Sequence, residues 1–136
     1  MNEAQKVCNL LDQNGLSQNS GCKRFMMCEL PGNVIMLEKY ASLFDGFSIG
    51  SNDLAQLTLG IDRESGMFGE LNEHNEAVIA FLSLAIQKSK LAGKPISICG
   101  QAPSDFPEIG KLLIKEGIDA ISLNSDSVMT FISKII

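Results

Sequence analysis

The chain has 136 residues, 45% of them hydrophobic and 20% charged, which fits one globular domain over residues 1–136 and excludes a charge-rich disordered tail. A net charge of −5 with no cluster of lysine and arginine excludes an electrostatic nucleic-acid partner. The amino terminus has no apolar signal-peptide core and no run is long enough to span a bilayer, so no membrane partner is expected and the expected compartment is cytoplasmic.

The elements follow in chain order. Val7, Leu10 and Leu11 recur at helical spacing between Glu3 and Leu11, and Asn14-Gly15 supplies the stop. A polar loop from Ser17 to Gly21 leads to Arg24–Leu30, a nearly continuous apolar run that suits a parallel strand covered on both faces. Val34 to Phe44 is helical in pattern. Asp45-Gly46 ends it before a short strand, Phe47 to Ile49.

Leu54 to Leu59 forms a short helix or turn, and the polar stretch Asp62 to Gly66 leads to a longer helix from about Asn75 to Leu91. The stripe Val78, Phe81, Leu82, Ala85 and Ile86 marks its buried face. Pro95 to Ile98 is the next strand, ending at Cys99-Gly100. Ser104 or Asp105 caps a helix that has Pro107 in its first turn and stops at Glu116-Gly117. Asp119 to Leu123 is the last strand, and Asn124-Ser125 opens a final helix.

About four strands thus alternate with helices through short turns, the pattern of a parallel α/β sheet. A complete (β/α)8 TIM barrel takes roughly 250 residues and eight strands, so the chain holds about half of one. A half-barrel leaves two strand edges unpaired and one sheet face uncovered. Further polypeptide, a second copy closing a barrel-like homodimer, or flattening into an open sandwich would each cover them.

Polar side chains at the carboxyl ends of parallel strands are where such folds keep their chemistry. Gly50 delivers Ser51, Asn52 and Asp53 together at one strand end, although Asn52 and Asp53 taken alone read as helix caps. Glu29 ends the preceding strand, so its carboxylate and that of Asp53 converge at one mouth and suit Mg²⁺, a hard cation often held by one or two carboxylates. A salt-bridged strand terminus is an equal reading of Glu29 alone. Alternation puts Phe25 and Met27 on the same face as Glu29. Cys99 ends the next strand; a free thiol titrates near ~8.5 and is suited to exchanging a proton with carbon. As an isolated Cys-Gly it would more often be a core residue. Cys8, Cys22 and Cys28 read as small buried hydrophobes, and with no Cys-x-x-Cys spacing and a single histidine, His74, neither a zinc site nor a redox pair is indicated.

Three segments, in order, carry a family resemblance: Met26-Met27-Cys28-Glu29-Leu30-Pro31, the Gly46–Gly66 stretch, and Ile98-Cys99-Gly100-Gln101-Ala102-Pro103-Ser104-Asp105. Together they resemble the phosphoenolpyruvate-utilising enzymes, and the tail Gln56 to Arg63 is most similar to the phosphoenolpyruvate synthase (pyruvate, water dikinase) branch. The resemblance spans essentially the whole chain and implies the C-terminal half of that family's pyruvate-binding barrel. It further implies that Glu29 and Asp53 are Mg²⁺ ligands, that Gly50, Ser51 and Asn52 contact pyruvate or phosphoenolpyruvate, and that Cys99 protonates the enolate. The implied reaction converts ATP, pyruvate and water to AMP, phosphoenolpyruvate and phosphate.

Pyruvate phosphate dikinase and the phosphotransferase-system enzyme I share the pattern, but there Cys-Gly-Glu is expected where this chain has Cys99-Gly100-Gln101. Ala55 departs from the hydroxyl-bearing residue expected before Gln56. His74 has no motif role and is expected to face solvent or cap a helix. The family's phosphate-binding arginines, phosphohistidine domain and ATP-binding domain match nothing here, and Arg24 and Arg63 do not obviously replace those arginines. The partners implied are therefore the missing N-terminal barrel half and the phosphohistidine domain. A non-catalytic domain binding a small carboxylate or a partner chain is the competing reading from a different class.

Overall fold

In the computed structural model, which describes residues 1–62 and 74–135, four strands form one sheet: β1 (Phe25–Cys28), β2 (Gly46–Gly50), β3 (Ile96–Cys99) and β4 (Ala120–Ile121). Their spatial order is their sequence order, and every neighbouring pair is parallel. Sequential parallel strands separated by helices are the repeat of a (β/α) barrel, here a part of one. Arg63 and the rest of the polar loop through Gly66 lie outside the described residues.

One face of the sheet carries the helices. Cys28 of β1, Phe47 and Ile49 of β2, and Ile96 and Ile98 of β3 point into a core shared with α2 (Pro31–Ile35), α3 (Leu37–Tyr40), α4 (Ser51–Leu59), α5 (Glu76–Leu91) and α7 (Pro107–Glu116). The α5 stripe behaves as its spacing requires, with Val78, Leu82, Ala85 and Ile86 fully buried and Phe81 packed against them. Asn75 caps that helix by accepting the Ala77 N–H at 2.9 Å. Ala55 is buried in the same core, so the position that lacks the expected hydroxyl is an apolar packing position.

The other face is open. Phe25 and Met27 are 48% and 40% exposed although both lie inside β1. The apolar run there is thus covered on one face, not two: alternation sends Met26 and Cys28 to the helices, and Phe25 and Met27 to the uncovered side. Strands β1 and β4 are the edges of this sheet.

Local chemistry moved several boundaries. The helical pattern from Val34 to Phe44 is broken at Met36, which ends α2 and begins α3, and α2 opens earlier at Pro31, a favoured first-turn residue. The helix at Pro107 is not capped by Ser104 or Asp105. Those two residues belong to a separate turn, α6 (Ala102–Asp105), and the Ser104 hydroxyl accepts the Asn124 N–H at 3.0 Å instead. Strand β4 is shorter than read from the sequence, and the last helix, α8 (Val128–Ile135), begins later. In the first helix, α1 (Asn2–Gln13), the stripe residues Val7 and Leu10 face solvent and Cys8 is the buried position.

Arg24 anchors the amino-terminal end of the sheet. Its guanidinium bonds to Asp12 and to the Leu16 carbonyl, and its backbone N–H donates to Asp45 Oδ2 at 2.8 Å. Hydrogen bonding to Asp12 holds the guanidinium pKa above its ordinary value. Asp119 plays the same part for β3, accepting the Ile96 N–H at 2.8 Å. These carboxylates satisfy amides at the strand starts that no ladder partner reaches.

The cysteines divide. Cys8 and Cys28 are buried, whereas Cys22 is exposed, contrary to its reading as a core residue, because it sits in the turn before β1. Burial first, and the neighbouring Glu29 carboxylate second, push the Cys28 thiol up to about 12. The folded state therefore keeps Cys28 protonated where an unfolded thiol ionises. Stability from this group is intact below ~8.5 and is lost as pH rises through that value toward the folded one. Denaturant midpoints should fall more steeply above that pH in the natural chain than in Cys28→Ala, and at the same pH iodoacetamide should label Cys22 in the native protein but Cys28 only after unfolding. Equal slopes, or native labelling of Cys28, would show that the thiol is not sequestered.

Candidate active site at the strand carboxyl ends

The parallel register sets the site. Cys28 pairs with Ile49, and Gly50 pairs with Cys99, so Glu29, Gly50 and Cys99 stand in a row across three strand ends. A cleft of about 160 Å³ opens there, lined by Met27, Glu29, Gly50, Ser51, Asn52, Asp53, Cys99 and Gly100. The six residues singled out from the sequence (Glu29, Gly50, Ser51, Asn52, Asp53 and Cys99) all border this one cleft.

Two glycines make the close approach possible. A Cβ on Gly50 would lie 2.8 Å from Glu29 Oε2 and 2.9 Å from Glu29 Cβ, so only glycine lets the Glu29 side chain lie across the end of β2. Gly100 has φ +127°, a conformation L side chains rarely adopt, and a Cβ there would collide with Ser51 Oγ and lie 3.0 Å from Asn52 Oδ1. The chain leaving β3 thus passes directly over the start of α4.

Asn52 and Asp53 are not helix caps. The cap position of α4 is Gly50, which has no side chain to offer, and both residues lie inside the first turn with their side chains directed elsewhere. Asn52 Oδ1 accepts the Gln101 N–H at 3.1 Å and the Ser51 hydroxyl at 3.3 Å. This clamps the Cys99-Gly100-Gln101 turn to α4 and gives Gln101 a structural part through its backbone. Asp53 is exposed, and its Oδ1 accepts from Gln56 Nε2 at 3.3 Å. Ser51 is fully buried beneath the turn.

Cys99 is half-buried, and its sulfur accepts a hydrogen bond from the Ser48 hydroxyl at 3.3 Å. Sequence reading passed over Ser48 as an ordinary strand residue. The available signal was alternation: Ser48 lies two residues before Gly50 and so on the same open face. Arg24 is at the other end of β1 from Glu29, five residues and so roughly 16 Å away along the extended chain, and does not enter the cleft. His74 does not line it either; its Nε2 lies 3.0 Å from Glu108 Oε1 and its ring meets Phe106 edge-on at 4.0 Å.

The donor set matches a hard cation. Two carboxylates, Glu29 and Asp53, border the cleft, and among the described residues no group of three or more His, Cys, Asp or Glu side chains is gathered to form an all-protein cage. Mg²⁺ commonly takes one or two carboxylates and completes its shell with substrate and water, so the residues present fit that ion.

The polar cleft lies at the carboxyl ends of sequential parallel strands, where barrel-type α/β folds keep their ligand sites. The sequence matches, over residues 1–135, the family described as PEP-utilising enzyme, PEP-binding domain, and the chain belongs to that family. It is 52% identical over 129 residues to the phosphoenolpyruvate synthase of Helicobacter pylori, covering 93% of this chain and 16% of that protein. It is 48% identical over 130 residues to the phosphoenolpyruvate synthase of Deinococcus radiodurans, covering 94% of this chain and 17% of that protein. The Escherichia coli phosphoenolpyruvate synthase is 48% identical over 131 residues, with 95% and 16% covered. The chain thus spans about a sixth of the length of these relatives. Among the described residues no helix is long and apolar enough to cross a membrane.

Gly100→Ala should destabilise the fold by about 1–3 kcal/mol, the usual cost of a strained backbone conformation, and should raise the temperature dependence of Cys99 labelling as the turn lifts off α4. Thermal and denaturant melts check the first effect. An alanine variant as stable as the natural chain would mean that the turn does not require glycine.

Proposed function

We propose that this chain is the enolate-handling part of a phosphoenolpyruvate synthase, an enzyme that converts ATP, pyruvate and water to AMP, phosphoenolpyruvate and phosphate. The observation that carries this reading is the convergence of Glu29, Asp53 and Cys99 on one cleft beside the Gly50–Asn52 turn. Its support from kinship is the identity to proteins of that name.

Glu29 and Asp53 would hold Mg²⁺. When bound, that ion supplies positive charge to the oxygen of the enolate through which pyruvate and phosphoenolpyruvate interconvert. The chain's own residues do the rest. Gly50 leaves room for a small carboxylate against the strand end, and Ser51 and Asn52, at the amino-terminal end of α4, would contact it where a helix start favours negative charge. Cys99 gives its thiol proton to the methylene carbon of the enolate, or in reverse takes one from the methyl group of pyruvate.

Phosphate recognition is assigned to polypeptide outside this chain. Arg24 is the one arginine among the described residues, and it is committed to Asp12 and Leu16 at the far end of the sheet. The uncovered face bearing Phe25 and Met27 would receive the remaining barrel strands. The cytoplasm is the compartment proposed for the whole enzyme.

Oxalate mimics the pyruvate enolate. In calorimetry, oxalate should bind only when Mg²⁺ is present, and Glu29→Gln or Asp53→Asn should weaken that binding by at least about tenfold, as alterations around metal sites do. Cys99→Ser should keep it, since the thiol acts on carbon rather than on the ion. Binding that is indifferent to Mg²⁺ or to both carboxylates, or its absence in a folded sample, would overturn the view that these strand ends prebuild the site.

A further inference from the structure

We infer that Met27 sets the size of the 2-oxo acid that the cleft accepts, forming a floor under the reacting carbon that admits a methyl group and turns away a longer alkyl chain. The inference deepens the function proposed above and rests on it. Its basis is the layering of the sheet's open face. Glu29, Gly50 and Cys99 form the top row, at the strand carboxyl ends. One row down, the register sets Met27 beside Ser48, Ser48 beside Ser97, and Ser97 beside Ala120. Such rows stack as layers of side chains inside a parallel barrel.

Met27 is the one large side chain of that second row. The serines and the alanine leave the space beside them open, and the methionine reaches across it. A Cβ on Gly50 would lie 3.1 Å from Met27 Cε, so the methyl end of the side chain reaches the end of β2, where Glu29 also lies. Among the described residues that line the cleft, Met27 alone brings a large apolar side chain. The Phe25 ring makes the same lean onto Gly46 at the start of β2, so both large side chains of β1 cross the neighbouring strand at a glycine.

The chemistry gives the floor a purpose. Under the proposed roles the oxygens of a bound 2-oxo acid turn to Glu29, Asp53 and the start of α4, and carbon 3 turns to the Cys99 sulfur. Any further carbon on that atom extends from the top row toward the second, where the thioether lies. A cleft of about 160 Å³ has little room to spare for it. The same floor holds an apolar surface against the carbon that gains or loses the proton.

The test measures, by calorimetry with Mg²⁺ present, the affinities of pyruvate and of 2-oxobutyrate, which carries one more methylene, in the natural chain, Met27→Ala and Met27→Phe. Oxalate, which has no alkyl group, is titrated into each as the report of an intact site. The natural chain should bind 2-oxobutyrate about tenfold more weakly than pyruvate, the scale of one methylene at an apolar wall. Met27→Ala should bring the two affinities together by strengthening 2-oxobutyrate, and Met27→Phe should weaken pyruvate relative to oxalate. The two substitutions change the floor in opposite directions, so general damage to the fold cannot produce both results. Affinity ratios that stay the same in all three chains while oxalate binds would overturn the assignment and leave the proposed function standing. Failure of oxalate to bind the natural chain would overturn both.

Discussion

Everything at this site depends on the parallel register of three strands. Antiparallel or slipped pairing would send Glu29, Gly50 and Cys99 to different ends or faces, since one residue of slip reverses every side chain. The register is held from both ends of the sheet. At the amino-terminal end, Asp45 takes the Arg24 N–H and Asp119 takes the Ile96 N–H. At the carboxyl end, Asn52 ties the turn after β3 to the helix after β2. Between them, Phe47, Ile49, Ile96 and Ile98 are fixed by complete burial under α5 and its neighbours.

The division of the sheet into a packed face and an open face separates stability from function. In β2 and β3, apolar β-branched and aromatic residues occupy the packed face, where burial stabilises by roughly 25 cal/mol per Å². Small or polar residues, Ser48, Gly50, Ser97 and Cys99, occupy the open face near the cleft. Such residues contribute little to a core. They leave room for a ligand and provide donors, which is the use a barrel interior at its carboxyl end makes of them.

Much of this was legible in the chain. Glycines after short apolar runs marked the strand ends, and alternation from Glu29 predicted that Phe25 and Met27 share its face. The features that escaped were those set by distant partners. Ser104 has the composition of a helix cap, yet its hydroxyl is engaged by Asn124, 20 residues on. Met36 breaks a helical pattern without a glycine or proline to announce it. Val7 and Leu10 have helical spacing but face solvent, because periodicity records an apolar face and not what lies against it. The bond from Ser48 to Cys99 required the register itself, which no local pattern prints.

The most direct test of the central claim, that three strand ends build one hard-cation site, is paramagnetic relaxation by Mn²⁺, an ion with the same preference for oxygen ligands as Mg²⁺. Amide signals of the ¹⁵N-labelled chain would be followed during the titration, with oxalate present. Broadening should appear first and together at Glu29, at Gly50 to Asp53 and at Cys99 to Gln101, while Gly46 and Ile96 at the opposite strand ends stay sharp until higher ion concentration. Broadening that begins at the amino-terminal ends, or spreads evenly over the surface acidic residues, would contradict a site built by the strand carboxyl ends.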